Sequence, residues 1–129
     1  MSTGYILDHT AVSALAQGNI YMAARVFRSV QQVQPLYVPA VSFAHGLTGS
    51  ALGEVAHMLQ DALAAPCFVF RPLDEASCWA IAQIAQERAA DLPTAHAAHL
   101  ALGSGLPVLT RQAAAYKKID SRITAEVIS

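Results

Sequence analysis

Short apolar runs alternate with helix-forming segments along the chain, and this alternation limits its fold more than any other feature. The runs are Tyr5–Leu7, Leu36–Val38, Cys67–Phe70, Pro107–Leu109 and Glu126–Ile128. Short continuous apolar runs of this kind are typical of buried strands. Strands separated by helices form a mainly parallel sheet that is covered on both faces. The sequence therefore predicts an α/β fold, a three-layer α/β/α domain with a short, mainly parallel sheet of four or five strands.

The composition predicts one soluble domain that spans residues 1–129. The longest apolar stretches fall far short of the ~18 residues of a membrane span, and no basic run precedes an apolar stretch near the start. We therefore expect a cytoplasmic protein without a membrane partner. The net charge of −1 provides no general attraction for nucleic acid. Because only 13% of the residues are charged, we expect exposed apolar surface and a homodimer or another protein partner to cover it.

Polar residues follow the first, second and fourth predicted strands, where ligands of parallel sheets usually bind. They are Asp8, the segment 40–45 that ends at His45, and the segment 110–112. The Asp8 carboxylate suits a divalent cation, but it equally suits the cap of the helix that follows. Thr10 is a second candidate for that cap. Residue type alone leaves both roles of Asp8 open.

Four segments carry a family resemblance. They are Tyr-Ile-Leu-Asp-His-Thr-Ala-Val-Ser-Ala-Leu from Tyr5, Val-Pro-Ala-Val-Ser-Phe-Ala-His-Gly-Leu from Val38, Thr-Ala-His-Ala-Ala-His-Leu-Ala from Thr94, and Val-Leu-Thr-Arg-Gln from Val108. In order and spacing they resemble the motifs of PIN domains, particularly the VapC-like toxin ribonucleases of bacteria. The resemblance covers essentially the whole chain.

The resemblance implies a site in which four acids bind magnesium or manganese for RNA hydrolysis. Asp8 matches the first acid, while His45, Thr94 and Gln112 stand where the family has a glutamate and two aspartates. The hydroxyl residues of the motifs are kept as Thr10 and Thr110. Because one acid of four survives, the donor set is poor for a hard cation. The expected protein is thus a degenerate, VapC-like domain without ordinary ribonuclease activity, acting through binding or regulation.

Two alternatives remain open at the level of sequence. The first is an altered nuclease that uses Asp8 and His45, with Asp91 as a substitute acid and a softer ion such as zinc or nickel; Asp91 is also a candidate helix cap. His9, His96 and His99 would join such a histidine-rich site. The second is a toxin-like chain bound by a small antitoxin-like protein. RNA would be contacted by Arg111 beside the cleft, or by Arg25, Arg28, Lys117 and Lys118.

Overall fold

The computed structural model describes residues 3–48 and 52–129 as one α/β domain built on a five-stranded parallel sheet. The elements, in chain order, are β1 (Tyr5–Leu7), α1 (His9–Ala16), α2 (Ile20–Gln31), β2 (Leu36–Pro39), α3 (Ala40–Gly46), α4 (Leu52–Leu63), β3 (Phe68–Arg71), α5 (Glu75–Arg88), α6 (Leu92–Ser104), β4 (Val108–Thr110), α7 (Ala113–Ile119) and β5 (Ala125–Val127). The predicted three-layer α/β/α fold is confirmed. The residue at which the fourth predicted helix begins, Ser50, lies outside the described residues.

The sheet has the strand order β3-β2-β1-β4-β5, and every neighbouring pair is parallel. Strands β2 and β3 lie in sequence on one side of β1, and β4 and β5 lie on its other side. This reversal creates a switch point between β1 and β4, where loops leave the sheet in opposite directions and open a crevice. Asp8 and Thr110 stand at the carboxyl ends of those two strands.

Two apolar clusters hold the layers together. Helices α1 to α4 cover one face, where Leu7, Leu36 and Leu109 are fully buried. Helices α6 and α7 cover the other face, with Ile6 and Val108 in the sheet. Residues alternate between the faces along each short strand, as the period of two requires. Both faces of the sheet are therefore apolar, which explains the uninterrupted apolar runs in the sequence.

Several predicted boundaries are shifted by one or two residues. Strands β3 and β4 start one residue later than predicted, and β5 starts one residue earlier. Helix α2, which the sequence predicts to reach about Val33, ends at Gln31 because Val33 adopts a left-handed conformation with φ 53°. The residue type predicts that both cysteines, Cys67 and Cys78, are small buried hydrophobes. Cys67 is buried, but Cys78 is exposed on α5, so its predicted burial is wrong. No helix in the ranges 3–48 and 52–129 is long and apolar enough to cross a membrane.

Candidate functional site

Asp8 lies at the centre of the switch point and is completely buried. Its Oδ1 accepts hydrogen bonds from the backbone N–H of Thr10 at 2.9 Å and of Ala11 at 3.0 Å, and from the Thr10 hydroxyl at 2.6 Å. It is therefore the N-cap of α1. Thr10, the other candidate for that cap, instead lies inside the helix and supports Asp8.

The second oxygen of Asp8 accepts a hydrogen bond from the hydroxyl of Tyr116, at 2.6 Å. Tyr116 is fully buried in α7. Burial, followed by the nearby charge of Asp8 and the hydrogen bond to it, raises the pKa of Tyr116 far above its ordinary value. The phenol thus stays protonated and keeps its donor. Both carboxylate oxygens of Asp8 are satisfied by the protein itself.

Thr10 and Thr110 link the ends of β1 and β4. Their hydroxyl oxygens are 3.3 Å apart, and the Thr10 oxygen also accepts a hydrogen bond from the backbone N–H of Arg111 at 2.9 Å. The Thr110 oxygen accepts from the backbone N–H of Gln112 at 2.8 Å. These bonds fix the loop that leaves β4. Both threonines hence have a structural role beside Asp8.

Two histidines, His9 and His45, form a contact pair in the lining of a small cleft. The rings of His9 and His45 pack edge to face with centroids 4.8 Å apart. His9 is buried, and its Nδ1 has no hydrogen-bond partner among the described residues, whereas His45 is exposed. A cleft of about 210 Å³ lies beside them, and we call it the switch-point cleft; its lining is His9, Thr10, Ser13, His45, Gly46, Thr48 and Arg111.

Gly46 allows α1 and α3 to approach closely enough to bring this histidine pair together. A Cβ atom on Gly46 would lie 2.7 Å from Cβ of Val12 and 2.8 Å from the backbone oxygen of His9. Such distances are far below van der Waals contact, so the helices would have to move apart. The sequence pair His45-Gly46 therefore encodes both a cleft residue and the close packing that positions it.

Asp91 acts as the N-cap of α6 and also lies near the histidine pair. Its Oδ1 accepts a hydrogen bond from the backbone N–H of Thr94 at 2.8 Å. Partial burial opposes ionisation, but this bond and the Thr94 hydroxyl, with the charges of His9 and His45, lower the pKa of Asp91 overall. Capping, one of the two roles predicted for Asp91, is observed.

The four positions that the resemblance implies as ligands lie around the switch point but do not form a metal site. Thr94 is buried in the first turn of α6, and the Gln112 amide nitrogen is 3.5 Å from Nε2 of His9. Within the described ranges, no group of three or more His, Cys, Asp or Glu side chains is placed to share a metal ion. With Asp8 already fully hydrogen-bonded, these residues do not fit a resident divalent cation.

The other predicted site residues are separated from this cleft. His96 is buried in α6, where burial and the charge of His99 lower the pKa of His96, and His99 opens into a different cavity. Arg25 donates hydrogen bonds to the hydroxyls of Tyr5 and Tyr21, and its contact with RNA stays a prediction. Lys117 is similarly engaged, donating at 2.6 Å to the backbone oxygen of Ile123.

The fold and site define a small three-layer α/β domain with a histidine-lined cleft at its switch point. No family model matches the chain, and no curated protein matches it. Among solved structures it is similar to PAE2754 from Pyrobaculum aerophilum, with a TM-score of 0.63 and 18% sequence identity over 98% of this chain and 92% of that one. At this identity the likeness shows a shared fold.

Proposed function

We propose that this chain is a PIN-like, VapC-type domain that has lost metal-dependent ribonuclease chemistry and acts by binding another macromolecule in the cytoplasm. The observation that carries the proposal is the hydrogen bonding of Asp8. The one acid retained from the family pattern accepts three bonds at Oδ1 and one at Oδ2. A buried carboxylate with these partners stabilises the fold without a cation.

The arrangement of the domain supports the PIN-like part of the proposal. Asp8 and Gln112 follow the neighbouring strands β1 and β4, His45 on α3 packs against His9, and Thr94 lies at the start of α6. His45 and Gln112 both lie against His9, the residue after Asp8, so two of the substituted positions meet beside the retained acid at the crevice beyond β1 and β4. The substitutions remove negative charge from this crevice, and the Tyr116 hydroxyl takes the place of a cation as the partner of Asp8.

Restoring the acids tests this proposal. The variant combines His45→Glu, Thr94→Asp and Gln112→Asp, with Tyr116→Phe in a second version to release Asp8. We expect manganese-dependent cleavage of a single-stranded RNA by a restored variant, and none by the wild-type chain. The matched control carries His45→Gln, Thr94→Asn and Gln112→Asn, which change the shapes similarly without adding charge. A folded restored variant that neither binds manganese nor cleaves RNA would contradict the PIN-like assignment.

The altered nuclease is the second candidate, and the contact between His9 and His45 is the observation in its favour. Asp91 lies close enough for the charges of both rings to affect its carboxyl. The carboxylate of Asp8 argues against this candidate, because both of its oxygens already accept hydrogen bonds from the protein. Zinc and nickel titrations with an RNA cleavage assay separate the two. Cleavage by the wild-type chain that is lost in His45→Gln would favour the altered nuclease.

For the partner, we propose a second copy of this chain packed against the outer face of α2. Ile20 is 84% exposed and Phe27 is 65% exposed, with Ala23 and Ala24 between them on the surface. Two such helices packed antiparallel about a two-fold axis would place Ile20 of one copy against Phe27 of the other. The small alanines would meet at the centre. Large ends and a small centre make this face complementary to itself.

A further inference from the structure

The cavity between α5 and α6 is separate from the switch-point cleft and has the size of a small-molecule site. Its volume is about 450 Å³, against about 210 Å³ for the switch-point cleft, and no described residue lines both. Ligand sites for small molecules commonly measure roughly 300–1,000 Å³. We call it the α5–α6 cavity.

Apolar and basic side chains share the lining of the α5–α6 cavity. Ile6, Leu100 and Leu106 supply apolar surface from the sheet and α6. Arg71, at the end of β3, and His99, on α6, supply basic groups. An apolar lining with a few polar groups is the usual composition of a ligand site, because burial gives affinity and the polar groups fix orientation.

Arg71 is held in place without being neutralised. Its guanidinium carbon lies 5.0 Å from the centroid of the Tyr37 ring, which also lines the cavity. Across the described ranges, the ion pairs formed are those of Arg25 with Glu126 and Arg122 with Asp120, and Arg71 forms none. A cation–π contact fixes the position of the guanidinium but leaves its five N–H donors available.

Among the described residues, Asp74 is the one that brings a carboxylate to the cavity lining, and it already caps a helix. Oδ1 of Asp74 accepts a hydrogen bond from the backbone N–H of Ser77 at 2.8 Å and caps α5. This bond, followed by the Ser77 hydroxyl, holds the pKa of Asp74 below its ordinary value, so the group stays ionised. The N-terminal dipole of α5 partly offsets its negative charge. The helix end is therefore capped through Oδ1 of Asp74, and the guanidinium of Arg71 supplies N–H donors to the same lining.

We propose that the α5–α6 cavity binds a small organic anion, in which a carboxylate or phosphate group is attached to an apolar body. The anionic group pairs with the Arg71 guanidinium, whose planar donors match two oxygens of either group. His99 supplies a further polar contact, and the body lies against Ile6, Leu100 and Leu106. This inference does not depend on the function proposed for the switch-point cleft.

The test is a set of calorimetric titrations of the whole chain with benzoate, phenyl phosphate and benzamide. Benzamide has the shape of benzoate but no charge, so it is the matched neutral probe. We expect both anions to bind in the range up to about 10 mM that is usual for ligands of this size. Benzamide should bind at least about tenfold more weakly than benzoate. The relative affinities of the two anions distinguish a carboxylate ligand from a phosphate ligand.

Variants then assign the binding to this cavity. Arg71→Gln should weaken the two anions at least about tenfold, while Arg28→Gln, on the exposed surface of α2, should leave binding unchanged. Circular dichroism checks that both variants are folded. The inference is overturned if neither anion binds, if benzamide binds as tightly as benzoate, or if Arg71→Gln and Arg28→Gln have the same effect.

Discussion

Replacing Tyr116 with phenylalanine isolates the interaction on which the account of Asp8 depends. The change removes one hydroxyl from a fully buried ring and leaves the packing of α7 otherwise intact. It also leaves Oδ2 of Asp8 without its donor at 2.6 Å. A hydrogen bond to a charged group contributes about 1.5–3 kcal/mol. Because the orphaned oxygen remains buried, we expect the free energy of unfolding to fall by about 2–3 kcal/mol.

Urea denaturation followed by circular dichroism measures this loss of stability directly. For a chain of this length, the expected loss corresponds to a melting temperature lower by roughly 6–12 °C. Tyr37→Phe is the matched control, because its ring is only partly buried and its hydroxyl has no hydrogen bond in the described structure. A loss below about 0.5 kcal/mol for Tyr116→Phe would refute the claim that Tyr116 is the partner of Asp8, because a difference that small is within the ordinary range for surface substitutions.

Four further predictions address the titration of Tyr116, the cap of α6, the contact at Gly46 and the outer face of α2. Because the folded pKa of Tyr116 is raised above the ordinary value of 10.0, its contribution to stability is complete below pH 10 and declines above it, by about 1.4 kcal/mol per pH unit. The free energy of unfolding, measured by urea titration at several pH values above 10, should decline with pH through this group in the wild-type chain but not in Tyr116→Phe. Equal declines in the two proteins would contradict this prediction. Asp91→Ala should lower the free energy of unfolding by about 1 kcal/mol near neutral pH. Because the folded pKa of Asp91 is lowered, this difference between wild type and variant should shrink as the carboxyl is protonated below pH 4. A difference that does not change with pH would exclude the cap as its cause. Gly46→Ala should destabilise by about 1–3 kcal/mol through overpacking. Gly53→Ala, with no described atom within 4 Å of the added Cβ, should stabilise by about 0.5–1 kcal/mol. Equal effects of the two changes in thermal melts would argue against the close contact at Gly46. Phe27→Asp should convert a dimer to a monomer in light scattering while the α5 control Trp79→Asp does not, and a wild-type chain that is monomeric at all concentrations would contradict self-association.

The fold was predictable because its determinants are local in the sequence. Short apolar runs, Pro39 before α3 and Gly105 after α6 mark the elements, and a mainly parallel sheet follows from strands that alternate with helices. Asp74 and Asp91 are caps that act on the backbone three residues later, so their roles could also be inferred. These interactions span a single helical turn.

The partner of Asp8 could not be predicted, because it is 108 positions away in the sequence. Tyr116 is one of four tyrosines, and only the packing of α7 on the sheet places its hydroxyl at that carboxylate. The pairing of His9 with His45 likewise depends on the approach of α1 to α3 at Gly46. Residue types therefore identified the edge of the sheet that forms the cleft, but not which side chains satisfy each other there.

Which side of α2 packs on the sheet could not be predicted from the sequence, for a different reason. From the sequence alone, the helical spacing of Ala23, Val26, Phe27 and Val30 predicts an apolar stripe, with Phe27 in core or interface packing. In the structure Met22 and Ser29 are buried while Phe27 and Val30 are exposed. Apolar residues occur on both sides of α2, so periodicity alone could not decide which side packs on the sheet.

Calorimetric titration with magnesium and manganese, made on the wild-type chain and on Asp8→Asn, tests the central claim most directly. The asparagine keeps an acceptor for the helix N–H groups and removes the charge, so the variant remains foldable where Asp8→Ala would lose the cap. The account predicts no saturable binding of either ion to the wild-type chain, since both oxygens of Asp8 are engaged by Thr10, Ala11 and Tyr116. Binding at physiological concentrations that disappears in Asp8→Asn would show that Asp8 is a metal ligand, and would contradict the account.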